Sequence, residues 1–313
     1  MALTIGPLRD DLAFGAKVTG LTAQDLQDDT MRQHLRDLWT DRGVILFRGS
    51  DSASLHRDLS QCFGPLENFP FKESTVDGHP DLVKIKYYPD NGSCYEVNGA
   101  MIGGWIPWHS DLIYTDTINR GGILRPVQLP RRGGQTGFAD QIAAYDRLPE
   151  GLKQAIDGLH VVYVMDLNYA NMKYARPKHI RFVRGAESFM KIVRRGYQYP
   201  RVIHPMVFTQ PETGRKVLNV SPGFADGIYE IGGPEGDALL AEVIGYSVDP
   251  SQTYFHDWRA DDMVLWDNWR TLHCAAGVPA DETRVMQRTT ISGDYALGRK
   301  LDGQGLDLVA IDV

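Results

Sequence analysis

Short apolar runs closed off by glycine, proline and asparagine recur along this chain, and they limit its fold more than any other feature. Val44-Ile45-Leu46-Phe47 is a buried-strand run, too brief for a helix. Leu82 to Tyr88 alternates weakly, and Gly121 to Leu129 reads as another strand, followed by the turn Arg132-Gly133-Gly134. Three more strand-like runs separated by turns fill 253–297. Helical spacing appears in four places only. One pattern opens at Thr22, carries Met31, Leu35, Leu38 and Trp39, and stops at Gly43; a second carries Leu55, Leu59 and Cys62-Phe63 and ends at Gly64-Pro65. The others cover 141–159 (Leu148, Leu152, Ile156, Leu159) and 235–246 (Leu239, Leu240, Val243, Ile244). Residues 89–107 hold many Gly, Asn and Pro and read as a long loop feeding His109. Residues 165–203, rich in Lys, Arg, Tyr and Asn without a period, read as a lid-like insertion. No repeat, low-complexity tract or Pro/Gly/Ser linker divides the 313 residues, so one domain over 1–313 is expected, its core at about 20–297. Many short strands with few helices predict an α+β domain on a β-sandwich or barrel.

Charge and cysteine usage remove several function classes. A net charge of -7 gives no electrostatic footprint for nucleic acid or an anionic membrane, and no apolar run approaches the roughly 20 residues of a span. The start lacks a basic flank followed by an apolar stretch. Three cysteines (Cys62, Cys94, Cys274) without a C-x-x-C pair argue against a disulfide framework or a thiolate zinc site. A cytoplasmic, reducing location is expected.

The chemistry concentrates at Trp108-His109-Ser110-Asp111-Leu112. On an extended strand, side chains two residues apart share a side, so His109 and Asp111 can grip one divalent metal together. The segment Val264 to His273 offers His273 as a third ligand. Two His and one carboxylate on one face leave positions open, as in oxygen-activating non-haem Fe(II) sites. An H-x-D tripeptide is common in a chain with nine His, so the motif needs its context.

That context resembles the taurine and 2,4-dichlorophenoxyacetate dioxygenases, Fe(II)- and 2-oxoglutarate-dependent enzymes on a jelly-roll core. The resemblance runs over roughly 20–297 and rests on the order and spacing of several fragments. They include Arg42-Gly43-Val44-Ile45-Leu46-Phe47-Arg48-Gly49, Phe63-Gly64-Pro65-Leu66-Glu67, Trp108-His109-Ser110-Asp111 and Gly133-Gly134-Gln135-Thr136. Further ones are Ala143-Ala144-Tyr145-Asp146-Arg147-Leu148-Pro149, His204-Pro205, Thr213-Gly214-Arg215-Lys216, Trp266-Asp267-Asn268 and Arg284 to Thr290.

The resemblance implies a double-stranded β-helix (jelly-roll) core flanked by helices. It also implies iron held by His109, Asp111 and His273, with 2-oxoglutarate and O2 consumed. Related halogenases replace the carboxylate by a small residue, so Asp111 favours oxygen insertion. Arg284, eleven residues after His273, and Thr136 would hold the distal carboxylate of 2-oxoglutarate; a guanidinium fork fits a carboxylate bidentately. Arg288 would lie near iron and bind the acidic group of the substrate or the near end of 2-oxoglutarate, on the same strand face as Arg284. Lys72 falls where the phenoxyacetate enzymes carry a substrate lysine. Asn219 stands where taurine enzymes have a pocket Phe, and Trp105 where they have an Asn. Asn68-Phe69-Pro70-Phe71-Lys72 lacks their His, so taurine is not the expected substrate. The aromatic residues Tyr87, Tyr88, Tyr95, Trp105 and Trp108 would wall the pocket. The expected activity is hydroxylation, oxidative cleavage or desaturation of a small organic acid with release of succinate and CO2. The expected assembly is a homo-oligomer without nucleic acid or membrane partners. Two alternatives stand: a metal-dependent hydrolase or isomerase, and a non-catalytic binding protein, on the same fold.

Overall fold

The computed structural model describes residues 3–68, 74–166, 168–187, 190 and 200–301. The fold is mixed α/β, mostly strands with few helices. Its largest sheet has eight strands in the order Thr4–Pro7, Ala16–Thr19, Val44–Arg48, Met263–Asp267, Gly121–Gln128, Arg284–Ile291, His79–Tyr87, Thr75–Val76. A smaller sheet of four runs Thr253–His256, Thr136–Asp140, Thr271–Ala275, Ile106–His109.

Both faces of the large sheet are covered, which is why Val44 to Phe47 is apolar throughout instead of alternating. Ile45 and Phe47 point into a core with Leu35 and Trp39 of the helix Asp29–Arg42 and Leu55 and Leu59 of the helix Ser52–Gln61. Val44, Leu46, Val264, Trp266 and Met286 face the other way and close over Phe138 of the small sheet. Each such side chain, fully buried, contributes about 1.5–3 kcal/mol.

Four expectations are corrected. The first helix begins at Asp29 rather than Thr22, because the Asp28 carboxylate accepts from the Thr30 N–H and fixes the start there. Thr22 opens a short turn instead, its N–H and hydroxyl both donating to Asp25. The 141–159 pattern splits into Gln141–Arg147 and Glu150–Ile156. Pro149 has no N–H to donate and drives Leu148 into extended backbone. Residues 89–107 are not one loop: Cys94–Val97 and Ala100–Gly103 form a hairpin whose turn residues Asn98 (φ 50) and Gly99 (φ 83) both lie in the left-handed region. Part of the expected insertion is regular, since Ile180–Arg184 pairs with Cys94–Val97, and Val202–Pro205 with His160–Tyr163. The rest of it, residues 167, 188–189 and 191–199, lies outside the described residues. No helix among the described residues is long and apolar enough to cross a membrane.

Candidate metal centre

His109 ends the edge strand Ile106–His109, and His273 sits in the neighbouring strand Thr271–Ala275, paired with it across the antiparallel register. That register sets the two imidazoles side by side, ring centroids 4.2 Å apart. Asp111 lies past the strand end in a turn, followed by Leu112 at φ 58. The expected single strand through both residues therefore gives way to a strand that stops at His109 and a turn that brings the carboxylate round. Asp111 Oδ1 is 3.7 Å from Nε2 of each histidine, and the three ligand atoms lie within 4.8 Å of one another.

Tautomer and charge state suit a cation. His109 Nδ1 lies 2.8 Å from the Pro107 carbonyl, which can only accept, so Nδ1 carries the hydrogen and Nε2 presents its lone pair. Burial, with His109 alongside, holds the His273 imidazole down to about 3, and it is neutral at ordinary pH. Burial would push the Asp111 carboxyl up, but the Arg288 guanidinium and the two imidazoles outweigh it and hold the group well below the usual carboxylate range. Arg288 Nη1 sits 3.2 and 3.0 Å from the two Asp111 oxygens. Two imidazole nitrogens and a carboxylate oxygen thus gather with the carboxylate 3.7 Å from each nitrogen, too long for a hydrogen bond. Two imidazole nitrogens and one hard oxygen can hold Fe(II).

Asn268 fixes the turn that presents Asp111. Its Oδ1 accepts from the Asp111 N–H at 2.8 Å, and its Nδ2 donates to the Asp111 carbonyl at 3.0 Å. The same Nδ2 reaches the Asn119 carbonyl and Oδ1 at 3.1 and 3.2 Å. Sequence reasoning placed Asn268 in the lead-in to His273 without a role, because its partners are about 150 residues away in the chain, at Asp111 and Asn119.

The expected anion site is also assembled. Arg284 is buried, its Nε donating to Gly134 O at 3.1 Å and its Nη2 to Thr136 Oγ1 at 3.2 Å. Among the described residues no carboxylate pairs with it, and burial alone lowers its pKa to about 10. A desolvated guanidinium without a counter-charge is a place for an acidic ligand. Trp258, which carried no expectation, donates its indole N–H to the same Thr136 oxygen at 3.1 Å. Arg284 lines a pocket with Tyr95, Trp105, Ile106 and Tyr169. The lining of that pocket does not include the two histidines; burial first, and then the charges of Tyr95 and Asp111, push the Tyr169 hydroxyl pKa up. Tyr169 stacks on Tyr95, and Trp105 meets both edge-on.

Two expected residues are not brought to this group. Asn219 spends its amide on Pro205 O at 2.9 Å and Tyr295 Oη at 2.8 Å. Trp108 packs edge-on against Phe255 instead of walling the pocket. Lys72 lies outside the described residues.

Comparison with known proteins bears on the same residues. The model of the family described as "Taurine catabolism dioxygenase TauD, TfdA family" matches residues 4–290. An (S)-phenoxypropionate/alpha-ketoglutarate-dioxygenase of Sphingobium herbicidovorans is 31% identical over 299 residues, covering 94% of this chain and 96% of that one. An alkylsulfatase of Acinetobacter baylyi is 28% identical, covering 91% of this chain and 84% of the other. The crystal structure of a taurine dioxygenase from Burkholderia xenovorans superposes with a TM-score of 0.71 at 25% identity, covering 96% and 95% of the two chains.

Proposed function

The chain belongs to the TauD/TfdA family of dioxygenases, enzymes of Fe(II), 2-oxoglutarate and O2, and we propose that it oxidises a small organic acid with release of succinate and CO2. It is a 2-oxoglutarate-dependent non-haem iron dioxygenase acting on an organic substrate. In our reading His109, Asp111 and His273 hold the iron, and Arg284 with Thr136 fixes the distal carboxylate of 2-oxoglutarate. One observation carries it: the ligand atoms of His109, Asp111 and His273 lie within 4.8 Å of one another; the buried Arg284 guanidinium, which no described carboxylate neutralises, supports the co-substrate part. Bound iron supplies the redox chemistry that turns O2 and 2-oxoglutarate against a C–H bond.

The chain's own residues orient and shield. Arg288, on the same strand face as Arg284, meets the near end of the co-substrate or the acid of the substrate, while its contact with Asp111 keeps that ligand ionised. The apolar wall of Trp105 and Tyr169 supports a substrate with a flat or apolar body and excludes water from the attacked carbon. Lys72 as a second clamp on the substrate acid stays part of the proposal, as do a jelly-roll core, a single working domain and assembly of identical subunits.

The test is succinate release under Fe(II), ascorbate and O2 across a panel of small acids that includes aryloxyalkanoates and taurine. His109→Ala and His273→Ala abolish succinate release in every case. Full turnover in either variant, or turnover with bound zinc and no O2, refutes the proposal in favour of a hydrolase or isomerase.

A further inference from the structure

Among the described residues Thr136 Oγ1 has two hydrogen-bond partners, and neither can accept a hydrogen bond. Arg284 Nη2 lies 3.2 Å away and Trp258 Nε1 3.1 Å away; guanidinium and indole N–H groups carry no available lone pair. The threonine oxygen must accept from both, which uses its two lone pairs and leaves its hydroxyl proton one remaining direction. Among the described residues nothing takes that proton, although Thr136 is buried. A buried hydroxyl donor left over beside a desolvated guanidinium is oriented for an anionic oxygen.

Trp258 is held firmly enough to set that direction. It follows the strand Thr253–His256, in which His256 pairs with Thr136 in register. Asp262 ties down the connecting loop: it accepts from the Arg259 N–H at 2.9 Å and contacts His256 Nε2 at 3.0 Å. Arg48 grips both oxygens of Asp262 at 2.6 and 2.8 Å. His256, also bonded to the Tyr254 hydroxyl, stands perpendicular to the Trp258 ring with centroids 4.6 Å apart.

We propose that Trp258 is a positioning residue for the co-substrate: its indole N–H occupies one lone pair of Thr136 and so turns the Thr136 hydroxyl into a donor for the distal carboxylate of 2-oxoglutarate. This rests on the reading of Arg284 and Thr136 as the 2-oxoglutarate clamp. Without the indole donor only Arg284 holds a Thr136 lone pair, the hydroxyl proton gains a second direction, and the carboxylate's hydrogen bond from Thr136 is less well directed.

The test is calorimetric titration of the Mn(II)-loaded protein with two unreactive 2-oxo-acid mimics. N-oxalylglycine carries the distal carboxylate and oxamate does not. Trp258→Phe, which keeps a ring and removes the N–H, weakens N-oxalylglycine about three- to tenfold and leaves oxamate within twofold; in turnover the KM for 2-oxoglutarate rises by a similar factor at nearly constant kcat. In a Thr136→Val background Trp258→Phe has no further effect on N-oxalylglycine. Equal weakening of both mimics, no weakening of either, or an undiminished effect in the Thr136→Val background overturns the proposal. Should Trp258→Phe fail to fold, Trp258→His, which retains a ring N–H, takes its place in comparison with Trp258→Leu, and the same selective loss in the leucine variant is required. Arg284→Met separates the two levels. If it leaves N-oxalylglycine affinity intact, the clamp reading falls and the proposal with it. If it weakens N-oxalylglycine while Trp258→Phe does not, the proposal alone falls.

Discussion

Asn268→Asp changes one nitrogen to oxygen, yet it should damage the protein more than Asn268→Ala. Asn268 is buried, its Oδ1 facing the Asp111 N–H and its Nδ2 facing three acceptors: the Asp111 carbonyl, the Asn119 carbonyl and Asn119 Oδ1. Truncation to alanine leaves one donor and these acceptors short of partners. At about 1–3 kcal/mol per buried group, partly relieved by entering water, the cost is about 3 kcal/mol. Aspartate keeps the acceptor for the Asp111 N–H but presents a charged oxygen to three other oxygens in a dry site. That adds about 1–2 kcal/mol over alanine. The introduced carboxyl has a folded pKa raised above its unfolded value, so the unfolded chain sheds its proton first and stability falls as pH rises between the two values. A protonated carboxyl can donate one hydrogen bond, and the extra cost over alanine shrinks below pH 5. The assay is urea unfolding of the metal-free variants at pH 8 and pH 5, with Fe(II) titration as the second readout. Both variants bind the metal about 10- to 100-fold more weakly, because the Asp111 turn is no longer fixed. If Asn268→Asp is as stable as Asn268→Ala at pH 8, or their difference ignores pH, the argument from donor and acceptor count is wrong.

Arg48→Met removes the bidentate partner of the fully buried Asp262 and should cost about 3–5 kcal/mol at pH 7. Burial opposes ionisation of Asp262, but its bonds to Arg48 and His256 hold the carboxyl well below the usual range, so this stability is complete above the unfolded value and lost as pH falls below it; urea midpoints of the wild type should drop more steeply from pH 5 to pH 3 than those of the variant. Gly103→Ala would place its Cβ 2.0 Å from the Tyr87 ring, which a cradle of Gly92 and Gly103 surrounds, and a thermal melt should register a loss of about 1–3 kcal/mol. An unchanged melting temperature would mean that Tyr87, which also lines the pocket, is free to move aside.

The metal ligands were legible because part of their geometry is local: His109 and Asp111 are two residues apart, and the arrival of His273 needs only one strand pairing. Even so, Asp111 is delivered by a turn after the strand and not by the strand itself. Asn98-Gly99 is a hairpin signal that the glycine content of 89–107 masks. The helix pattern over 141–159 was right in its apolar spacing, but Pro149 broke it where periodicity is blind. Asn268 and Trp258 could not be found this way. Neither residue type signals anything by itself, and what each one does is settled by a partner more than a hundred residues off in sequence.

The spacing of Arg284 and Arg288 shows how the core and the site share one pattern. In the extended strand Arg284–Ile291 side chains two residues apart share a face, so Met286 stands between the two arginines on the same face. Met286 is fully buried against Phe138 of the small sheet, next to Val264 and Trp266. The face that closes the two sheets over each other therefore carries a guanidinium on either side of its apolar contact. One reaches Thr136 in the small sheet, and the other reaches Asp111 beyond its edge. A slip of one residue in this strand would take Met286 off Phe138 and turn both arginines away from the small sheet at once. Packing thus selects the register that the site needs, and no separate device is required to aim the two cations. Asp111, lying past the end of its strand, lacks that support, which is why it alone among the three ligands has its backbone clamped on both sides by a buried amide.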